Sequence, residues 1–288
     1  VIPAKIAGVE NITIYTPPIM KNGKVIANET VVVVADILGI DKIYKIGGAQ
    51  AIAAMTFGTE SIPKVDKIIG PGNAYVVAAK KLAYGYVDID FIAGPSELMI
   101  IADDTANPNF IAADLLAEAE HDTEAIAILV TPSTKLAGRV NRKIEEQLKN
   151  LSTKEIASKS LEKNGRIVIR NTLEECFETA NRFGPEHLEV MTRNPERYLD
   201  KIKNAGSIFL GNYSSSVFGD YISGTNHILP TAGLARVRGG LSVRDFLKFT
   251  SYQKINEKGI MNLIKPAYEI ATLEGLEGHA KAVKIRGI

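Results

Sequence analysis

The chain contains four histidines, and each lies close in sequence to a carboxylate where the apolar pattern is interrupted. They are His121 in EAEH, His187 in GPEHLE, His227 at the end of GDYISGTNH and His279 at the end of LEGLEGH. Imidazole and carboxylate groups together bind divalent metal ions and transfer protons near neutral pH. For any one histidine, a hydrogen-bonded structural role is the alternative. The four together favour one shared polar site.

The spacing within these segments indicates what each pair could do. Glu118 and His121 are spaced i, i+3 in a predicted helix, so both lie on one helical face and could share a metal ion. The alternative is a charged, solvated helix end. Glu186 and His187 begin a predicted strand, and at its mouth they could converge on a substrate as general base and acid. The alternative is that both lie within the strand and point to opposite sides.

Two further regions carry polar residues at breaks in the pattern. The loop that ends at His227 is rich in Gly, Ser, Thr and Asn, which favours a functional role, and its Asp220 is a plausible hard ligand for zinc. The segment GPSE contains Ser96 at a predicted hinge, where clefts form and where the hydroxyl could face a ligand. A simple hinge is the alternative there, and a charged tail helix is the alternative for the segment containing Glu274 and His279.

Two glycine-rich loops each follow a predicted strand and open a predicted helix: GGAQ, which ends at Gln50, and GPGN, which ends at Asn73. Such loops allow close backbone approach to a phosphate, which a helix N-terminus attracts. The third glycine of the dinucleotide fingerprint is missing from GPGN, so a plain turn is the alternative. Two such loops in one block favour a nucleotide-sized ligand.

The composition is that of an ordinary globular enzyme, with 45% hydrophobic and 23% charged residues among 288. A net charge of +1 favours neither nucleic acid nor an acidic membrane as a partner, and no apolar run is long enough to span a bilayer. The single cysteine, Cys176, indicates a reducing cytoplasm, and its amphipathic context predicts a packed thiol. The chain begins at Val1, and we expect the front of a longer protein to precede it.

Strand-like and helix-like segments alternate along most of the chain, which predicts parallel βαβ units. We predict two Rossmann-like α/β domains with incomplete, mostly parallel sheets and a small C-terminal helical tail. The first domain, at 1–97, lies on the nucleotide side. The second, at 98–240, carries the metal-binding and catalytic residues, and the tail covers 241–288. Asn28 as a cap predicts a helix over NETVVVVADILG despite its valines, and SVRDFLKFTSYQKI in the tail is also predicted to be helical.

With GPGNAY, AGPSE, AEAEH, GPEHLE, GDYISGTNH and LEGLEGHAKAV in this order, nearly the whole chain resembles histidinol dehydrogenase. The resemblance implies a zinc- and NAD-dependent enzyme of histidine biosynthesis that oxidises L-histidinol through the aldehyde to L-histidine with two NAD⁺. It also implies a cytoplasmic homodimer whose C-terminal tail crosses to the partner, with no nucleic acid or membrane as a partner.

Carried over to this sequence, the resemblance implies a role for each candidate residue. Glu186 would activate water for the second oxidation, and His187 would move the alcohol proton. The implied metal ligands are Glu118, His121, Asp220 and His279, which would also contact the substrate. Further substrate contacts are implied for Ser96, His227 and Glu274, and contacts to NAD for Gln50 and Asn73.

The sequence departs from the family at two places. The family usually has glutamine where this chain has Glu118, and it has a further N-terminal stretch with a tyrosine-bearing glycine loop near NAD. Two alternatives therefore stay open: a related zinc- and NAD-dependent dehydrogenase of another polar alcohol, and a truncated fragment that binds metal or dimerises without catalysis.

Overall fold

The computed structural model describes residues 1–287. The chain divides into two compact units, Val1–Phe246 and a second that begins at Leu247. The strands are β1 (Ile14–Tyr15), β2 (Ile19–Lys21), β3 (Lys24–Ile26), β4 (Ile43–Tyr44), β5 (Lys67–Ile68), β6 (Asp88–Ile89), β7 (Glu97–Ala102), β8 (Ile126–Thr131), β9 (Arg166–Ile169), β10 (His187–Met191) and β11 (Ser207–Leu210).

The α-helices are α1 (Ile2–Ile6), α2 (Glu29–Ile37), α3 (Gly48–Phe57), α4 (Ala74–Ala83), α5 (Pro108–Ala119), α6 (Thr134–Leu148), α7 (Lys154–Asn164), α8 (Leu173–Phe183), α9 (Ser216–Tyr221), α10 (Glu257–Ile260), α11 (Ile264–Leu273) and α12 (Glu277–Lys284). Short 3₁₀ turns lie at Pro195–Lys201, Leu234–Arg236 and Val243–Phe246. In the described residues, no helix is both long and apolar enough to cross a membrane.

The main sheet has the strand order β11-β10-β7-β8-β9, and all of its neighbours pair in parallel. Counted in order of appearance this is 5-4-1-2-3, which is the strand order of one end of a Rossmann sheet. The predicted α/β class with a parallel sheet is therefore confirmed. The chain turns back at the boundary between β7 and β10, which makes these two central strands direct neighbours.

Helices cover both faces of this sheet, as the continuous apolar strands require. Leu98 and Ile100 of β7 face a core that includes residues of α5 and α6. Met99 and Ile101 alternate with them and face the other core, which contains Cys176 of α8. Cys176 is fully buried there, so the predicted packed thiol is confirmed.

The N-terminal part of the first unit contains three two-stranded sheets. β1 pairs with β4 and β5 with β6, both in parallel, and α3 and α4 contribute to a separate apolar cluster beside them. The third sheet is the antiparallel hairpin of β2 and β3, which lies between β1 and β4 in the sequence. Asn22 and Gly23 both have positive φ at its turn, the conformation that an Asn-Gly hairpin turn needs.

The local helix predictions had different outcomes. α2 forms as predicted, and the Asn28 side chain accepts a hydrogen bond from the Thr30 N–H at 2.9 Å. The helix predicted over SVRDFLKFTSYQKI is wrong, because only Val243–Phe246 forms a 3₁₀ turn and the following stretch to Asn256 is irregular. Phe249 and Tyr252 are almost fully exposed, so this stretch lacks the packed apolar face that stabilises most helices.

Candidate active site

A cluster of ionisable side chains lies at the amino ends of β7 and β10. Glu186 directly precedes β10, and His187 is its first residue. The Nδ1 atom of His187 lies 3.8 Å from Oε2 of Glu186, and its Nε2 atom lies 3.4 Å from Oδ1 of Asp220 in α9. Glu118, in the last turn of α5, is close enough for its charge to act on His187. The structure thus brings four of the predicted residues together.

Glu97, the first residue of β7, links the two central strands at this edge. The backbone N–H of Glu97 donates to Oε2 of Glu186 at 3.0 Å, and the N–H of Glu186 donates to Oε2 of Glu97 at 3.3 Å. Oε1 of Glu97 also accepts the N–H of Ala232 at 2.9 Å. Because both carboxylates are buried, these bonds fix the position of Glu186 within the fold.

The backbone of Glu97 also orients the imidazole. Nδ1 of His187 lies 3.2 Å from the Glu97 carbonyl oxygen, which can only accept a hydrogen bond. That partner places the proton on Nδ1 and leaves Nε2, on the Asp220 side, as the basic nitrogen of the neutral ring. The ring of Phe209 lies 5.9 Å away between centroids and forms an apolar wall beside it.

Burial and crowding of like charges change the proton affinities of the cluster. Burial raises the pKa of Glu118 to about 8 and the pKa of Glu186 to about 7, while the nearby His187 opposes both shifts. Burial also raises the pKa of Glu97. For His187 burial lowers the pKa, but Asp220, Glu186 and Glu118 outweigh it and raise the pKa to about 9. Without a further cation, the cluster therefore holds protons at neutral pH.

Two buried atoms of the cluster have no hydrogen-bond partner among residues 1–287, Oε1 of Glu118 and Nε2 of His187. Buried polar atoms without partners are uncommon and call for a ligand, water or ion. A divalent cation beside Glu118 and Asp220 would replace the protons that the carboxylates hold and would favour the neutral form of His187. The donor chemistry of these two carboxylates therefore fits a metal.

The cluster alone does not make a complete metal site. Within the described residues, no group of three or more His, Cys, Asp or Glu side chains is arranged to hold a metal ion. His121 follows the end of α5 and is exposed, and its backbone N–H donates to the Glu118 carbonyl at 3.3 Å. The structure thus does not bring the His121 side chain into the buried cluster.

The remaining predicted substrate residues lie around this edge or in the second unit. Ser96 is half-buried directly before β7, and its carbonyl accepts the N–H of Ile126 at 2.9 Å. His227 is exposed in the loop after α9. Glu274, which directly follows α11, and His279 of α12 are exposed and belong to the second unit.

The two residues predicted at NAD lie at the beginnings of neighbouring helices. Gln50 is exposed in the first turn of α3. Asn73 caps α4, because its Oδ1 accepts the N–H groups of Tyr75 and Val76 at 3.1 and 3.2 Å. α3 and α4 contribute to the same apolar cluster. The two glycine-rich loops that precede these helices therefore belong to the same part of the fold.

Close backbone contacts also shape the site. A Cβ atom on Gly206 would lie 2.6 Å from the Glu186 carbonyl oxygen, and one on Gly219 would lie 2.5 Å from the Phe209 ring. Glycine at these two positions lets the start of β11 and the end of α9 approach the cluster. Gly219 directly precedes Asp220, so this contact helps to set where the carboxylate lies.

Glu97 and the buried Glu189 of β10 are not among the candidate residues predicted from the sequence. Glu97 begins the otherwise apolar strand ELMIIA, and Glu189 is flanked by Leu188 and Val190 in the fully buried strand HLEVM. A carboxylate inside such a strand is rare unless it is paired. That signal was available in the sequence and would have identified both positions.

Comparison with known proteins gives the same family as the order of motifs in the chain. A family model described as histidinol dehydrogenase matches residues 1–287. The histidinol dehydrogenase of Clostridium acetobutylicum is 54% identical over 285 residues, and that of Methanocaldococcus jannaschii is 52% identical over 285 residues. The crystal structure of histidinol dehydrogenase from Elizabethkingia anophelis is 47% identical and superimposes with a TM-score of 0.92.

These relatives are longer than the chain. The alignments cover 99% of this chain, but only 65% of the Clostridium protein, of the Methanocaldococcus protein and of the Elizabethkingia chain. The similarity therefore extends over the whole cluster at β7 and β10, and about a third of each relative has no counterpart in this sequence.

Proposed function

Because the chain belongs to the histidinol dehydrogenase family, we propose that the full-length protein oxidises L-histidinol to L-histidine in the cytoplasm. The alcohol is first oxidised to the aldehyde, and the hydrated aldehyde is then oxidised to the acid. Each step passes one hydride to one NAD⁺, so two NAD⁺ are reduced for each histidinol. The observation that supports this proposal best is the contact of the buried His187 ring with Glu186 and Asp220.

We assign the proton transfers to Glu186 and His187. In its neutral form, His187 accepts the alcohol proton at Nε2, because Nδ1 faces the Glu97 carbonyl. Glu186 lies on the other side of the ring, and we propose that it activates water for the second oxidation. Its pKa of about 7 allows it to act as a base near neutral pH.

We propose that zinc is held by Glu118, His121, Asp220 and His279. When bound, zinc would act as a Lewis acid that holds the substrate's amine and imidazole and orients the carbinol carbon. Glu118 and Asp220 already lie in the cluster. His121 would need to turn its side chain inward from the end of α5. Glu118 adds a negative charge where the family usually has glutamine, and this favours tighter binding of a dication.

The other predicted residues complete the proposal. Ser96, His227 and Glu274 would bind the substrate, since a carboxylate and an imidazole suit its ammonium and imidazole groups. Gln50 and Asn73 would lie along NAD, which supplies the hydride acceptor. We also propose a homodimer in which Glu274 and His279 act in the partner's site. The long apolar side chains exposed at the end of α11 and directly after α12, Leu273 and Ile285, are consistent with such an exchange.

The test is turnover by the full-length protein with L-histidinol, NAD⁺ and zinc, followed by NADH absorbance. The expected result is two NADH per histidinol consumed. A protein that binds zinc and NAD⁺ but reduces no NAD⁺ would refute the proposal in favour of a non-catalytic binding domain. A panel of other polar alcohols is the control, and a clear preference for one of them would identify a related dehydrogenase instead.

A further inference from the structure

A second pair of buried acids lies next to the cluster. Glu189 follows His187 by two residues on β10, so its side chain leaves the strand on the same face. Asp114 lies one helical turn before Glu118 on α5, and its carboxyl is close enough to that of Glu189 for each to change the pKa of the other. The pair therefore lies between the strand and the helix that carry two of the proposed site residues.

Both acids bind the beginning of α9. Oε1 of Glu189 accepts the backbone N–H of Ser216 at 2.7 Å. Oδ1 of Asp114 accepts the hydroxyl of Ser215 at 2.8 Å, and Ser215 is the residue that caps α9. A six-residue helix is too short to be stable by itself, so these contacts determine where it lies. Asp220 occupies the last turn of the same helix.

We propose that Asp114 and Glu189 are positioning residues that hold α9 so that Asp220 lies against His187. This inference rests on the proposed function, because it gives Asp220 a role in the site. It extends that function by naming two residues that contact neither substrate nor cofactor. They act through Ser215 and Ser216, which join α5 and β10 to α9.

One proton between the two carboxyl groups accounts for their pairing. Oε2 of Glu189 is buried and has no hydrogen-bond partner among residues 1–287, and the carboxyl of Asp114 is close enough for its charge to act on Glu189. Two buried carboxylates in contact would repel each other. A proton on one of the two carboxyl groups removes the repulsion and lets that group donate a hydrogen bond to the other. Burial, reinforced by the charge of Asp114, raises the pKa of Glu189 to about 8, which agrees with this protonation.

Two substitutions of similar size separate positioning from simple packing. Glu189→Gln keeps an oxygen for the Ser216 N–H and an N–H for Asp114, whereas Glu189→Met keeps neither. We expect Glu189→Gln to retain kcat within about threefold and Glu189→Met to lower it by at least about tenfold, with the KM for NAD⁺ unchanged, because a small displacement of a reacting group is costly. Equal kcat losses in both variants would overturn the proposal.

Hydrogen exchange of α9 tests the positioning without any turnover. In protein without substrate or metal, the amides of 216–221 should exchange about tenfold faster in Glu189→Met than in the unmodified protein, since one hydrogen bond contributes roughly this factor. The amides of α6 should not change. Unchanged exchange in α9 would overturn the inference. If the protein does not oxidise histidinol, the proposed function fails, and the exchange measurement still decides whether the acids hold α9.

A milder variant covers the case in which Glu189→Met does not fold. Ser215→Ala removes only the hydroxyl that joins Asp114 to α9, at a half-buried position. Faster exchange in 216–221 together with a lower kcat would support the proposal, and unchanged exchange would overturn it. Ser214→Ala is the matched control, because the Ser214 side chain takes no part in these hydrogen bonds, and it should leave the exchange of α9 unaltered.

Discussion

Glu97 and Glu186 each accept the other's backbone N–H, so each glutamate fixes the other at the amino ends of neighbouring strands. These residues are far apart in the chain, and the exchange joins the first and fourth strands of the main sheet. Ligands in sheets of this type usually bind at the carboxyl ends of the strands, near the point where the strand order reverses. Here the candidate active site lies at the opposite ends of the strands, which are their amino ends.

The first prediction concerns the carboxylate of Glu97. Glu97→Ala leaves the buried N–H of Glu186 and the partly buried N–H of Ala232 without acceptors, so we expect the free energy of unfolding to fall by about 2–4 kcal/mol. The free energy of unfolding of Glu97→Gln should lie between those of Glu97→Ala and the unmodified protein, because the amide keeps one acceptor oxygen. Denaturant titration measures both. Glu162→Ala on the exposed face of α7 is the control and should change stability by less than about 0.5 kcal/mol. A loss for Glu97→Ala as small as the control's would contradict the prediction.

The second prediction concerns the pH dependence of stability in metal-free protein. The folded-state pKa of Glu118, about 8, lies above its ordinary value of 4.5. The folded protein therefore holds this proton more tightly, and the resulting stability is present at low pH and is lost as pH rises from about 4.5 to about 8. The raised pKa values of Glu186 and His187 act in the same direction.

Glu118→Gln removes the largest of these contributions while keeping the side-chain shape. Above pH 8 we expect this variant to be more stable than the unmodified protein by on the order of 3 kcal/mol, and its profile from pH 5 to 9 to be flatter. Thermal unfolding with a chelator present measures the profile. Glu162→Gln at an exposed position should reproduce the unmodified profile, and parallel profiles for Glu118→Gln and the unmodified protein would contradict the prediction.

The third prediction concerns His187 as the base. His187→Asn preserves a polar group near the Glu97 carbonyl but removes the nitrogen at the Nε2 position. We expect kcat for histidinol to fall by about 10²–10⁴ with little change in KM, because general-base catalysis contributes about this much. Steady-state NADH formation measures both constants. A variant that retains more than a tenth of kcat would exclude His187 as the proton acceptor.

The fourth prediction concerns the proposed exchange of the C-terminal segment. His279→Ala and Asp220→Ala should each inactivate a homodimer, because each removes one proposed zinc ligand. A mixed dimer contains one chain of each variant. If the segments cross, one of its two sites combines the intact Asp220 of one chain with the intact His279 of the other, and the second site lacks both. About half of the normal activity per mixed dimer should therefore return. Activity is measured after the two variants are unfolded and refolded together. Mixed dimers without activity would exclude the exchange.

Much of the fold was predictable because local signals agree with the final structure. The alternation of apolar strands and helices predicted the parallel α/β class, and the cap at Asn28 correctly overrode the strand propensity of its valines. The Asn22-Gly23 pair is an equally clear turn signal, but the hairpin that it forms was not predicted. The segment around Phe249 was mistaken for a helix, because apolar residues alone do not supply a surface for a helix to pack on.

The candidate site was predictable only in part, for physical reasons. Glu186, His187 and Asp220 stand in distinctive motifs, and the structure brings them into contact. The role of Glu97 depends on which strands become neighbours, and spacing along one segment does not determine that. The depth at which Glu118 is buried, which sets its pKa, likewise results from packing of α5 against the sheet.

The separation of Glu97, Glu118, His187 and Asp220 along the chain has a consequence for how the protein matures. Their contacts require the central strands, α5 and α9 to be in place at once, and sheets built from distant parallel strands form slowly. Helical content should thus return early during refolding, while the buried cluster of ionisable side chains is completed last. A newly synthesised chain would pass through a stage that is already compact but still inert.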